Sequence, residues 1–131
     1  MRYLLDTMVF LWVLDAQANL NKPSQEILYD RNHEIFISPV SSWEIVIKAG
    51  RNKLKLSRPP EEMVQRAFTD FGFQALEITH VHSFAIGALP PLHSDPFDRM
   101  LVAQARCENL ILMTADTTLA KYPVQTMLCG K

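Results

Sequence analysis

The chain has 131 residues, 48% of them hydrophobic, and a formal net charge of −1. That length predicts a single domain over residues 1–131 with a core large enough to fold alone. The near-neutral balance excludes a global attraction to nucleic acid or to an anionic membrane, so a polyanion would need a local patch or bound metal ions.

Arg2 to Leu5 is a short apolar run, predicted as a buried first strand that stops at Asp6-Thr7. Thr7 can cap a helix from Met8 to Leu14. That helix is apolar almost all round, so it is either deeply buried or partly covered by a second chain. Asn21-Lys22-Pro23-Ser24 opens a helix to about Arg31, and Glu34 to Ile37 alternates into a second strand. Ser38-Pro39 caps and starts a helix that runs to Ala49 and stops at Gly50. Pro59-Pro60-Glu61-Glu62 starts another that ends near Gly72. Phe73 to Ile78 reads as a third strand, and Thr79 caps a helix to about Leu89. Asp95-Pro96 opens a helix to Glu108. Leu110 to Met113, a short helix from Asp116 to Tyr122, and Val124 to Leu128 complete the pattern. Such alternation predicts a mainly parallel sheet of about five strands with helices on both faces. The chain has no long apolar span and no cleavable signal. Its start goes straight into a strand, so a cytoplasmic protein without membrane contact is expected. Cys107 and Cys129 are far apart, and Cys107, beside Ala103 on a helix, reads as a small core residue.

Asp6, Glu44, Asp98 and Asp116 each fall where a strand should end or a helix begin. In a parallel α/β sheet both kinds of place lie on the edge where ligands bind. Each acid has a plainer reading. Asp6 and Asp116 could be helix caps, Ser41-x-x-Glu44 fits a capping box, and Asp98 is a third-position acid behind the cap Asp95. Together they converge on one edge with no matching Lys or Arg. At an effective dielectric near 20, one such pair at about 4 Å costs roughly 4 kcal/mol before screening. A cation between them would relieve that repulsion, and Mg²⁺ or Mn²⁺ suits carboxylate oxygens. The four histidines, His33, His80, His82 and His93, read as surface or cap residues.

Four motifs in this order, Leu4-Leu5-Asp6-Thr7, Ser42-Trp43-Glu44-Ile45, Asp95-Pro96-Phe97-Asp98-Arg99 and Thr114-Ala115-Asp116, resemble those of the PIN-domain ribonucleases. More narrowly they are similar to the VapC-type toxins of bacterial toxin–antitoxin pairs. The resemblance runs from residue 3 to about residue 128. It implies a PIN-like three-layer α/β/α sandwich and a metal-dependent endoribonuclease. Asp6, Glu44, Asp98 and Asp116 would be its catalytic and metal-binding acids, with Mg²⁺ or Mn²⁺ as cofactor. Thr7, Thr114, Asp95 and Arg99 would support them. It also implies an RNA substrate and a small antitoxin partner.

The remaining features fit around that reading. Lys48, Arg51, Lys53, Lys55 and Arg58 form a run without an acid, either a solvated loop or a set of RNA phosphate contacts. Phe10, Leu11, Trp12 and Leu14 read as core, as does Trp43; a homodimer seam or an antitoxin groove is the second reading. A phosphotransfer domain using Asp6 as nucleophile would want a second acid two residues on, where Met8 stands. Its late lysine is also missing, because Lys121 is poorly placed. A binding module that kept the fold without catalysis, and a PIN nuclease with a processing role, both stay open at this point.

Overall fold

Five short strands form one parallel sheet in the computed structural model, which describes residues 1–131. They are β1 (Arg2–Leu5), β2 (Glu34–Ile37), β3 (Gln74–Ala75), β4 (Ile111–Thr114) and β5 (Thr126–Leu128). Their spatial order is β3-β2-β1-β4-β5, with Leu4 beside both Phe36 and Leu112. The chain therefore steps to one side of β1 for β2 and β3, and to the other for β4 and β5. The point of reversal lies between β1 and β4, where open α/β sheets leave a crevice at the carboxyl ends of their strands.

The period of two along each strand sorts side chains into two cores. Tyr3, Leu5, Ile35, Ile37 and Met113 face one way, against α1 (Thr7–Asp15), α2 (Lys22–Tyr29) and α4 (Pro60–Thr69). Leu4, Phe36 and Leu112 face the other, against α6 (Pro96–Glu108) and a satellite helix α5 (His80–Ala85). Between the layers runs α3 (Pro39–Gly50), which gives Ile45 to the first core and Val40 to the second. The result is the expected α/β/α sandwich. No helix is long and apolar enough to cross a membrane.

Several expectations require correction. The third strand spans only Gln74–Ala75, because β3 is an edge strand paired to β2 alone at Phe36 and Ile37. The helix after Thr79 stops at Ala85 and continues as a 3-10 turn over Ile86–Ala88. The segment after Asp116 holds a 3-10 turn at Leu119–Lys121 in place of an α-helix. Helix α4 ends at Thr69, three residues before Gly72. Gly72 adopts φ +71, and a Cβ there would meet the Arg31 guanidinium at 2.5 Å. Gly50 is the last residue of α3, and the left-handed turn beyond it is made by Asn52. Cys107 is only half-buried, whereas Cys129 is fully buried.

Among the apolar residues of α1, Phe10, Leu11 and Leu14 are core, while Trp12 is half-buried at its margin. Trp43 is not core. It is 59% exposed and rests edge-on against Phe97 with ring centroids 4.9 Å apart.

Candidate active site

A cavity of about 330 Å³ opens at the carboxyl ends of β1 and β4. Its lining includes Asp6, Glu44, Asp95, Asp98 and Asp116, and its only basic residue is Lys48. The four acids singled out in the sequence thus meet in one place, although they arrive there by different routes.

Asp6 leaves β1 and caps α1. Its Oδ1 accepts the Val9 N–H at 2.8 Å, and its Oδ2 accepts the Thr114 hydroxyl. The Thr114 oxygen in turn accepts the Asp116 N–H at 3.0 Å, so one buried hydroxyl ties the end of β1 to the end of β4. Asp116 caps no helix. Its Oδ1 accepts the Thr118 N–H at 2.8 Å and closes a local turn.

Asp95 caps α6 through the Phe97 N–H at 2.8 Å, with Pro96 at the first helical position as expected. Asp98 follows in the first turn and faces the cavity. Glu44 departs from its expected place. The cap of α3 is Ser38, which accepts from the Val40 N–H, so Glu44 lies in the second turn and the capping-box reading fails. Helix periodicity, not a cap, aims it at the cavity.

Burial and crowding decide the charge state of these acids. Asp6 is pushed up to about 6, first by desolvation and further by Glu44 and Asp116; the hydrogen bonds from Thr114 and Val9 oppose the rise. Asp98 is pushed up to about 7 by desolvation, then by Asp95, Glu44 and Asp6, with His93 opposing. Two carboxyls in one cleft thus keep their protons to higher pH than free carboxyls do, because burial penalises their charge and nearby acids add to it.

The expectation of no basic partner is wrong on one count. Lys48 forms an ion pair with Glu44 one helical turn away. Hydrogen bonding to Glu44 raises the lysine's pKa, opposed by desolvation and aided by Asp95 and Asp98. Spacing i to i+4 on α3 made that pair legible in the sequence. The pairing is partial, since the other carboxylate oxygen of Glu44, Oε1, is buried without a partner.

The supporting residues separate into two groups. Thr7 and Thr114 border the acids, and Thr7 donates its hydroxyl hydrogen to Ser41 Oγ at 3.0 Å, which couples α1 to α3. Arg99 turns away from the cavity. It donates to the carbonyls of Pro90 and Ile86 and to the Tyr122 hydroxyl, so it fastens the loop before α6. Arg51, Lys53 and Lys55 are exposed on the segment after α3, and Leu54 between the two lysines lines the cavity.

Two histidines depart from the surface-or-cap reading. His82 does complete a capping box with Thr79, yet it is 1% exposed and binds Glu108 at 2.7 Å, joining α5 to α6. His93 stands 3.1 Å from Asp116 and 3.4 Å from Asp98, and these three residues offer ligand atoms within 4.8 Å of one another. Sequence spacing gave no sign of it, because the two acids belong to segments far apart in the chain. His33 is half-buried beside Asp30 and Tyr3, in the turn before β2, while His80 is exposed as expected.

The chain matches the family profile described as PIN domain over residues 3–125. No curated protein matches it in sequence. Among solved structures it resembles VapBC2 from Rickettsia felis bound to a DNA fragment from their promoter. That match has a TM-score of 0.74 and 18% identity, covering 98% of this chain and 99% of the other. It also resembles DNA-bound VapBC from Salmonella typhimurium, with a TM-score of 0.64, 14% identity and 97% of each chain covered. VapBC-1 from nontypeable Haemophilus influenzae gives a TM-score of 0.62 and 15% identity, with 98% of each chain covered. At these identities the likeness is one of fold.

Proposed function

Because the chain belongs to the PIN domain family over nearly its whole length, we propose that it is a metal-dependent endoribonuclease and the toxin of a toxin–antitoxin pair. The observation that carries this reading is the acidic cavity, where five carboxylates face one ammonium and Glu44 Oε1 is buried without a partner. An orphaned carboxylate oxygen in such company suits a hard divalent cation, which takes oxygen ligands. Asp6, Glu44, Asp98 and Asp116 would hold Mg²⁺ or Mn²⁺. Bound there, the ion would supply an activated water and neutralise charge building on a phosphodiester.

The chain's own residues supply the rest. Thr114 and the Val9 N–H orient Asp6, and the Thr118 N–H orients Asp116, so neither carboxylate has to find its rotamer when RNA binds. Lys48, now paired with Glu44, would be free to face the RNA backbone once a cation neutralised that carboxylate. Arg51, Lys53 and Lys55, exposed on the next segment, would extend that basic edge for phosphate contacts. The overall charge of −1 makes this local arrangement necessary.

The VapBC likeness supports a partner, a small antitoxin that covers the cavity and brings a Lys or Arg to the acids. The exposed Trp43, Val46, Val81 and Phe84 supply apolar area for that partner or for a homodimer. A cytoplasmic location fits this role.

The purified protein should cut RNA with Mg²⁺ or Mn²⁺ and lose activity in EDTA. Asp6→Asn and Asp98→Asn should each abolish cutting, because an amide holds the ion far less well than a carboxylate. Expressed alone, wild type should arrest growth of its host, and co-expression of the neighbouring small gene should restore it. Undiminished cutting in EDTA would sink the metal mechanism. Cutting in vitro with no effect on growth would replace the toxin by a processing nuclease.

A further inference from the structure

His93 touches two of the acids yet lies outside the cavity lining. It reaches Asp98 and Asp116 from the loop before α6. Three contacts fix its ring and backbone. The Asp95 N–H donates to Nδ1 at 3.0 Å. A ring nitrogen that accepts carries no hydrogen, so in the neutral imidazole the hydrogen is on Nε2. That Nε2–H reaches Asp116 Oδ2 at 3.1 Å and lies 3.4 Å from Asp98 Oδ2. Finally, the His93 N–H donates to the Tyr122 hydroxyl at 2.9 Å, and Arg99 donates to the same oxygen at 3.2 Å.

The tautomer decides between two roles. The spacing of His93, Asp98 and Asp116 would suit three ligands around one ion. An Nε2 that bears hydrogen has no lone pair to offer a metal, so the ring is a donor to Asp116 and a polar neighbour of Asp98. This ring is also the only basic side chain within 4 Å of the Asp98 carboxylate.

We propose that His93 is a positioning residue whose Nε2–H holds Asp116 beyond β4 and whose ring sets its distance from Asp98 on α6, without itself ligating the ion. The proposal rests on the nuclease reading above. Its physical sense is that two carboxylates from separate elements repel, and a ring that donates to one and stands beside the other fixes where both lie.

Side-chain reach makes the test discriminating. The amide of Gln extends to about where Nε2 stands, whereas that of Asn stops at the level of Nδ1. Mn²⁺ affinity, measured by calorimetry, and kcat for RNA should each fall about 10–100-fold in His93→Ala. His93→Asn should fall with it, His93→Gln should keep most of both, and KM for RNA should move little. In ¹⁵N-labelled wild type, the His93 ring should carry its hydrogen on Nε2 before and after saturation with Mg²⁺.

An alanine variant equal to wild type would overturn the proposal, as would Asn rescuing as well as Gln. Loss of the Nε2 hydrogen on Mg²⁺ saturation would make His93 a ligand and overturn it too. Should wild type neither bind Mn²⁺ nor cut RNA, the nuclease reading falls and carries this role with it. A ring hydrogen found on Nδ1 in the metal-free protein would refute the His93 geometry independently of any activity.

Discussion

Two residues of the cavity make its electrostatics measurable. Asp6 and Asp98 both have folded-state pKa values above the ordinary 3.8, at about 6 and about 7. In the unfolded chain these carboxyls ionise near pH 4, while in the metal-free fold they hold their protons to pH 6–7. The folded state therefore binds more protons across that window, and its stability falls as pH rises through it. Melting in EDTA should show this loss between pH 4 and 7, and Asp98→Asn should flatten the slope. On the reading proposed above, metal affinity should move the opposite way, rising through pH 6–7 as protons leave Asp6 and Asp98. A slope identical in wild type and Asp98→Asn would contradict the assignment. Lys48 gives the complementary test. Lys48→Met leaves the buried Glu44 carboxylate without its ammonium, which should lower metal-free stability by about 1–3 kcal/mol. If Glu44 holds the ion as proposed, the same change removes a competing ammonium, so calorimetry should find Mg²⁺ bound more tightly than in wild type. Weaker binding would mean that Lys48 supports the ion instead of standing in for it.

At the scale of elements, the loop from Ile86 to Asp95 governs how α6 meets the cavity, and Arg99 is its clamp. The guanidinium spans two carbonyls and a hydroxyl at once, which an ammonium on a single point cannot do. Arg99→Ala should cost on the order of 2–3 kcal/mol in denaturant unfolding, and Arg99→Lys should recover only part of it. Full recovery by Lys would show that charge alone matters there. The same scale explains what the sequence made legible. Strong local signals survived: the Ser38-Pro39 and Asp95-Pro96 starts, the apolar run of β1 and the alternation read in β2. Phe73 to Ile78 looked like a longer strand because Phe73, Leu76 and Ile78 are apolar. An edge strand, however, keeps only the length its single neighbour can pair. Glu44 was correctly grouped with the other acids for the wrong local reason, since it sits inside α3 and not at its start. His93 and the exposure of Trp43 were illegible, because each depends on how α3, α6 and the loop between α5 and α6 assemble.

For the whole molecule, the order β3-β2-β1-β4-β5 is what turns separate carboxylates into one cavity. Reversal of direction beside β1 brings the end of the first strand next to the end of the fourth, about a hundred residues later. Asp6 and Asp116 meet there through Thr114, and α3 and α6 bring Glu44 and Asp98 over the opening. A fold that gathers five acids around one lysine carries repulsion that caps alone would not need. On the reading proposed above, that repulsion exists for a cation. The decisive experiment compares the melting temperature of wild type and Asp98→Asn with and without millimolar Mg²⁺. Metal-free Asp98→Asn should be as stable as wild type or more so. Mg²⁺ should raise the wild-type melting temperature, a 100-fold excess over Kd being worth about 2.7 kcal/mol, and should leave the variant nearly unmoved. Wild-type and variant curves both indifferent to Mg²⁺ would contradict the cation reading and return these acids to ordinary caps and turns.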